Sequence, residues 1–216
     1  MRQLAQASLD DIVDSLSACR VDVILYGCTS ATLAHGPDFD RELSAQIEAR
    51  SGVPAVTAAG AVVEALRDLG ATRVGLASPY TAGLNREAAA YLQSCGIEVV
   101  EVAEVGADLG NYQQGALTPS EVFDLGMRAG HADAQAVLLS CTDMRAVEAI
   151  DALEAGLDKP VVTSNQALLY AAVKRLNRLA CAPTVAAPAG FGRLSARLAP
   201  AACDKSAQSA EFAESA

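Results

Sequence analysis

Apolar runs closed by small residues alternate along this chain with segments whose apolar positions recur every three or four residues. The clearest run, Val21-Asp-Val-Ile-Leu-Tyr-Gly27, predicts a strand covered on both faces, and Cys28, Thr29 and Ser30 follow it directly. The pattern returns at residues 136–143, where Ala-Val-Leu-Leu ends on Ser140 and is followed by Cys141, Thr142 and Asp143. Around these two runs the periodicity predicts helices over 3–19, 42–50, 58–69, 84–94, 118–130, 145–154 and 166–179. On the first of them Leu4, Leu9, Ile12, Val13 and Leu16 share one face. Further strands are predicted at 53–57, 73–80, 97–105 and 160–164. Gly70 and Gly96 are ordinary helix stops, and Thr118-Pro-Ser-Glu121 carries the cap and early proline of a helix start. Residues 106–119, rich in Gly, Asn, Gln and Thr, read as a loop. Beyond Pro183 the composition turns to Ala, Pro, Gly and Ser, so the tail is expected to be poorly ordered.

Regular alternation of strand and helix is the signature of an α/β fold with helices on both faces of a parallel sheet. The recurrence of strand, Cys-Thr and helix predicts two pseudosymmetric, doubly wound halves with the active site in the cleft between them. Residues 1–72 with 160–182 are expected to form the first half, 73–159 the second, and 183–216 the tail. Open sheets of this kind bind ligands beyond the carboxyl ends of their strands, where both cysteines fall.

Composition narrows the function classes. A chain of 216 residues can bury a sizeable core. No apolar stretch approaches the roughly 20 residues of a membrane span, and the N-terminus lacks the order of a signal peptide, so a cytoplasmic protein without membrane association is expected. A formal net charge of -10 argues against nucleic acid, which is bound through clustered Lys and Arg. Six cysteines, none spaced as CxxC, and only two histidines argue against a zinc site. Reduced thiols are the expectation in that compartment.

Cysteine is among the most buried residue types, and Cys19, Cys95, Cys181 and Cys203 take that structural reading. Cys28 and Cys141 differ because each stands after its strand, beside hydroxyls and backbone N–H groups at a helix start. Such a position lowers a thiol pKa and supplies donors for a carboxylate or an oxyanion. Thr29, Ser30 and Thr142 are the corresponding candidate donors. Tyr80 either closes a turn after Ser78-Pro79 or hydrogen-bonds a substrate. Asn111 is a turn residue on its own merits, and Asn165 is equally a helix cap or a carboxylate ligand. His35 and His131 carry no partner pattern.

Taken together, the Cys-Thr-Ser at 28–30, the Ser-Pro-Tyr at 78–80, the Asn-x-x-x-Gly at 111–115, the Ser-Cys-Thr-Asp-Met at 140–144 and the Thr-Ser-Asn-Gln-Ala at 163–167 resemble the aspartate/glutamate racemase superfamily. Their order and spacing are most similar to maleate cis-trans isomerase and its relatives, which include arylmalonate decarboxylase, over residues 3–180. The resemblance implies two pseudosymmetric α/β halves, no cofactor, and a small carboxylate substrate; a homodimer or higher homo-oligomer is the expected assembly. It assigns Cys28 as nucleophile, Cys141 as proton donor or acceptor, and Tyr80 and Asn111 as carboxylate ligands. The family opens on a strand and a Pro-Ser-Asn type loop that residues 1–19 do not match, so reduced stability or a partner covering the exposed strand edge is expected.

Two classes of function follow. One is a cofactor-independent cis-trans isomerase of a small dicarboxylate, with a two-cysteine amino-acid racemase as the alternative enzyme. The other is a truncated relative that keeps the fold without activity. An arylmalonate-type decarboxylase uses only the second thiol, so Cys28 argues against it.

Overall fold

The computed structural model describes residues 9–179 and 190–198. Helix α1 (Asp10–Ala18) leads into strand β1 (Ile24–Tyr26), helix α2 (Thr29–Ser51), strand β2 (Ala55–Thr57) and helix α3 (Ala58–Asp68). Strand β3 (Arg73–Ser78), helix α4 (Ala82–Ser94) and strand β4 (Glu98–Glu104) follow, then the short helix α5 (Asn111–Gly115) and helix α6 (Pro119–Arg128). Strand β5 (Ala136–Leu139), a 3₁₀ turn (Val147–Ala149), helix α7 (Ile150–Leu157), strand β6 (Val161–Thr163) and helix α8 (Ser164–Leu179) complete the succession. Residues 3–8 of the predicted first helix lie outside the described residues.

All strands pair in parallel, in two sheets of order β1-β2 and β4-β3-β5-β6. The same unit occurs in each. Tyr26 stands opposite Thr57 where β1 meets β2, and Leu139 stands opposite Thr163 where β5 meets β6. Thr57 and Thr163 each cap the following helix, accepting from Gly60 N and Gln166 N, both at 3.1 Å. Among the described residues β1 is paired on one side only, and Leu25 on it is 41% exposed.

The central strands are apolar without alternation because both faces are covered: Val74, Leu76, Val137, Leu138, Leu139, Val161 and Val162 are all buried. Gly75 of β3 admits no side chain, since a Cβ there would stand 1.9 Å from the carbonyl oxygen of Ala129 just beyond α6.

Several expectations need correction. The run at 21–27 is a strand only over Ile24–Tyr26 and is not covered on both faces, and the loop read over 106–119 holds α5. The helix predicted at 42–50 begins much earlier, at Thr29, and is broken midway at Gly36 (φ 83°), ahead of Pro37, whose ring cannot continue the hydrogen-bond ladder. The strand of the 160–182 segment pairs with β5 in the second sheet, while its helix packs on the first half, where Lys174 and Arg175 pair with Glu64 of α3. Within the predicted disordered tail, residues 190–198 are folded, with a 3₁₀ turn (Arg193–Arg197) and a buried Leu194. The N–H of Arg193 donates to both carboxylate oxygens of Glu154 (3.0 and 2.9 Å), and Gln166 Nε2 donates to the carbonyl of Phe191 (2.8 Å). The remainder of the tail lies outside the described residues. Among the described residues no helix is long and apolar enough to cross a membrane.

Candidate active site

Because the strands are parallel, the residues that follow β1, β3, β5 and β6 all emerge at the carboxyl edges of the sheets. Cys28 leaves β1 in an extended conformation (φ −130°, ψ 93°) as the N-cap residue of α2; its half-buried thiol makes no hydrogen bond to the first-turn N–H groups. Its sulfur is 3.8 Å from Ser30 Oγ. Cys141, which follows β5, is only 4% exposed. Its S–H donates to Oε1 of Gln114 at 3.2 Å.

The second cysteine does not stand at a helix start as expected. The chain turns through residues 142–146 before the 3₁₀ turn, so the N–H groups facing the Cys141 sulfur are those of Asp143 and Met144 in the loop itself. Burial pushes the Cys141 thiol above the ordinary range, and these N–H groups with the Tyr80 phenol offset part of that rise.

Tyr80 follows β3 and is buried between the two thiols' fields. Burial pushes its phenol well up, and negative charge on Cys141 and Cys28 would add to the effect. A buried network fixes its backbone. Its N–H donates to Ser78 Oγ (3.2 Å), the Ser78 hydroxyl donates to Asn85 Oδ1 (2.5 Å), and Asn85 Nδ2 donates to the Tyr80 carbonyl (3.3 Å) and to Glu104 (3.1 Å). The Ser140 hydroxyl is 1% exposed and makes no hydrogen bond of ordinary geometry. It lies beside the phenol and would stabilise a phenolate.

Three side-chain hydrogen bonds stitch the strand ends together. Thr142 Oγ1 donates to the carbonyl of Gly27 at 2.9 Å, Thr29 Oγ1 donates to Ser164 Oγ at 3.0 Å, and Asn165 Nδ2 donates to the carbonyl of Thr142 at 3.0 Å. Both Cys-Thr pairs are therefore tied to each other and to the start of α8.

The fold thus gathers Cys28, Cys141, Tyr80, Thr29, Ser30, Thr142 and Asn165 at one place. The hydroxyl hydrogens of Thr29 and Thr142 go to protein acceptors, so these two side chains are not the donors to an anion that the sequence suggested. Asn165 is not the cap of α8, because Thr163 takes that role. Asn111 is exposed at the first position of α5, one turn before Gln114. Sequence reasoning missed Gln114 and Ser164. The signal for α5 lay in Gly110-Asn-Tyr-Gln113, where a glutamine at the third position reaches back to the cap N–H (2.8 Å). A cavity of about 200 Å³ opens beside Tyr80, but Glu104 and Asp108 line it and neither thiol does, so it does not suit a dicarboxylate. Among the described residues no three His, Cys, Asp or Glu side chains cluster as a metal site would require.

The sequence model of the family described as arylmalonate decarboxylase matches residues 2–189. The chain belongs to this family. The family lies within the aspartate/glutamate racemase-like superfamily. The chain is 29% identical over 168 residues to a maleate isomerase of Geobacillus stearothermophilus, a match covering 75% of this chain and 66% of the relative. It is 33% identical over 168 residues to an arylmalonate decarboxylase of Bordetella bronchiseptica, covering 77% and 68%. A crystal structure of a Cys→Ala variant of the maleate isomerase Iso from Pseudomonas putida S16 with maleate superposes with a TM-score of 0.79 at 26% identity, covering 86% of this chain and 74% of that one. The chain thus spans about two thirds of the length of the curated relatives it matches. The expected α/β fold of parallel sheets and helices is the fold of these neighbours.

Proposed function

We propose that this family member is a cofactor-independent cis-trans isomerase of a small dicarboxylate of the maleate type. The observation that carries the reading is the pairing of two unlike thiols at the ends of β1 and β5. Cys28 is half-buried at the start of α2 beside the Ser30 hydroxyl, whereas Cys141 is buried and donates its proton to a neutral acceptor. A two-cysteine racemase would use its thiols interchangeably as acid and base, and the inequality favours the isomerase. A decarboxylase working with the second thiol alone leaves Cys28 without a role.

A cis-alkene cannot turn about its double bond. The thiolate of Cys28 adds to one alkene carbon, forming a C–S bond as the π electrons move to the other carbon and its carboxylate. Cys141 gives its proton to that carbon, leaving a saturated thioether, a Cys141 thiolate and a single bond free to rotate. The Cys141 thiolate then takes the proton back, the C–S electrons return to Cys28, and the trans-alkene leaves. Charge building on the carboxylate is met by backbone N–H groups at the start of α2 and in the 142–144 loop, the preorganised donors that usually contribute most to catalysis. Tyr80, whose phenol neighbours the Cys141 sulfur, holds a carboxylate in this reading.

Intact-protein mass spectrometry after incubation with maleate, with fumarate followed in parallel, tests the reading. Cys28→Ala should abolish turnover and adduct, Cys141→Ala should permit slow adduct formation at most, and Tyr80→Phe should weaken binding or slow the reaction. An adduct that persists in Cys28→Ala refutes the assignment.

A further inference from the structure

We propose that Gln114 is the positioning residue that holds Cys141 as a protonated thiol, and so makes Cys141 the proton donor and leaves addition to Cys28. The inference rests on the isomerase reading for its consequence and on geometry for its substance. Gln114 is buried in α5, and its two amide atoms have different partners. Oε1 accepts the S–H of Cys141 (3.2 Å), and Nε2 donates to the carbonyl of Leu109 (2.8 Å). A carbonyl can only accept, so Leu109 fixes which end of the amide faces the sulfur. Turning the amide to offer an N–H to a thiolate would break that bond and set the amide oxygen against the carbonyl of the half-buried Leu109. A buried thiolate facing a carbonyl oxygen is disfavoured, and a thiol facing it is satisfied.

The helix that carries Gln114 is seated on the cysteine loop, since a Cβ on Gly115 would lie 3.4 Å from the carbonyl oxygen of Asp143. The other groups that act on the Cys141 sulfur are the N–H groups of Asp143 and Met144, the Asp143 carboxylate on its own loop, and the Tyr80 phenol from the end of β3. Of these, the N–H groups and the Tyr80 phenol favour the thiolate, and the Asp143 carboxylate opposes it. Gln114 adds a neutral acceptor of fixed direction. Cys28 has a different neighbour in Ser30, whose hydroxyl can donate or accept. The division of labour between the thiols is thereby written into their partners.

Alkylation of Cys141 by iodoacetamide as a function of pH, read by peptide mass spectrometry in the full chain carrying Cys28→Ala and without substrate, tests this. Gln114→Met removes the acceptor at nearly constant size and should lower the pH midpoint; Gln114→Glu places a charge there and should raise it. The fall in Gln114→Met should be about half to one pH unit, the worth of one hydrogen bond, and the rise in Gln114→Glu, which adds a charge, should be larger. A residue that merely fills space would leave the midpoint in place and change only the rate at all pH values. Midpoints unmoved in both variants, or moved in the same direction, would overturn the proposal. If Gln114→Met fails to fold, Gln114→Glu decides alone: a rise supports the role, and no change or a fall overturns it. The readout needs no turnover, so failure here is distinct from failure of the isomerase reading, which the maleate adduct tests.

Discussion

Thr29→Val tests whether the hydrogen bond across the strand ends holds the site together. Thr29 Oγ1 donates to Ser164 Oγ at 3.0 Å, and both residues are buried, at 2% and 0% exposure. Valine keeps the shape of threonine but removes the donor, which strands the Ser164 oxygen away from water. Loss of the bond with a buried group left unsatisfied should cost about 1–3 kcal/mol, and Ser164→Ala should cost a similar amount by stranding the Thr29 hydroxyl. With both changes made, nothing polar is left unpaired, so the double variant should be little worse than the poorer single one. The expected coupling is therefore about 1 kcal/mol or more. Urea unfolding of the four proteins measures it, with the midpoint read at unchanged slope, and for a chain of this size each kcal/mol should also lower Tm by about 2–4 °C. Costs that add to within about 0.5 kcal/mol would mean that the two hydroxyls do not depend on each other, and the stitched architecture would be wrong.

Gly75→Ala drives a methyl into the carbonyl of Ala129 and should cost about 1–3 kcal/mol or more in urea unfolding; a neutral effect would mean that α6 is not seated on β3. Glu154→Ala leaves the N–H groups of Val161 and Arg193 without their acceptor, so the 190–198 segment should become the first site of limited proteolysis while the β-sheet resists. Cys141 and Tyr80 are both raised in the folded chain, so the native state keeps protons that the unfolded chain releases. Stability should thus be fully present below about pH 8.5 and fall as pH rises beyond it, and Tyr80→Phe should flatten the part of the decline above about pH 10; an alkaline limb unchanged by that substitution would refute the burial of the phenol.

Much of the site was legible because parallel sheets announce themselves. Strands of parallel sheets are largely apolar, so Val21 to Tyr26 and Ala136 to Leu139 stood out and placed a cysteine at the carboxyl edge after each, although of the two only β5 is covered on both faces and Leu25 of β1 is exposed. Tyr80 was legible as a strand-end residue for the same reason. Gln114 was hidden, because its stretch reads as a polar loop and its single turn of helix contributes only one buried side chain. The placement of β6 was hidden too. Its sequence, Val161 to Thr163, fits either sheet, and the crossover through α7 decides that it pairs with β5.

The sequence by itself determined the α/β alternation, the strand-end position of both thiols and the family they announce, since these depend on local periodicity and on residues adjacent in the chain. Tertiary structure alone decided which hydroxyls are free and which are consumed. Thr29 and Thr142, read as donors to a ligand, give their protons to Ser164 and Gly27, partners 135 and 115 residues away. It also decided that the thiols are unequal. Cys141 is buried against Gln114, an acceptor 27 residues away, while Cys28 is half-buried beside Ser30, and burial and a distant partner depend on how the chain packs and not on the residues next to each cysteine.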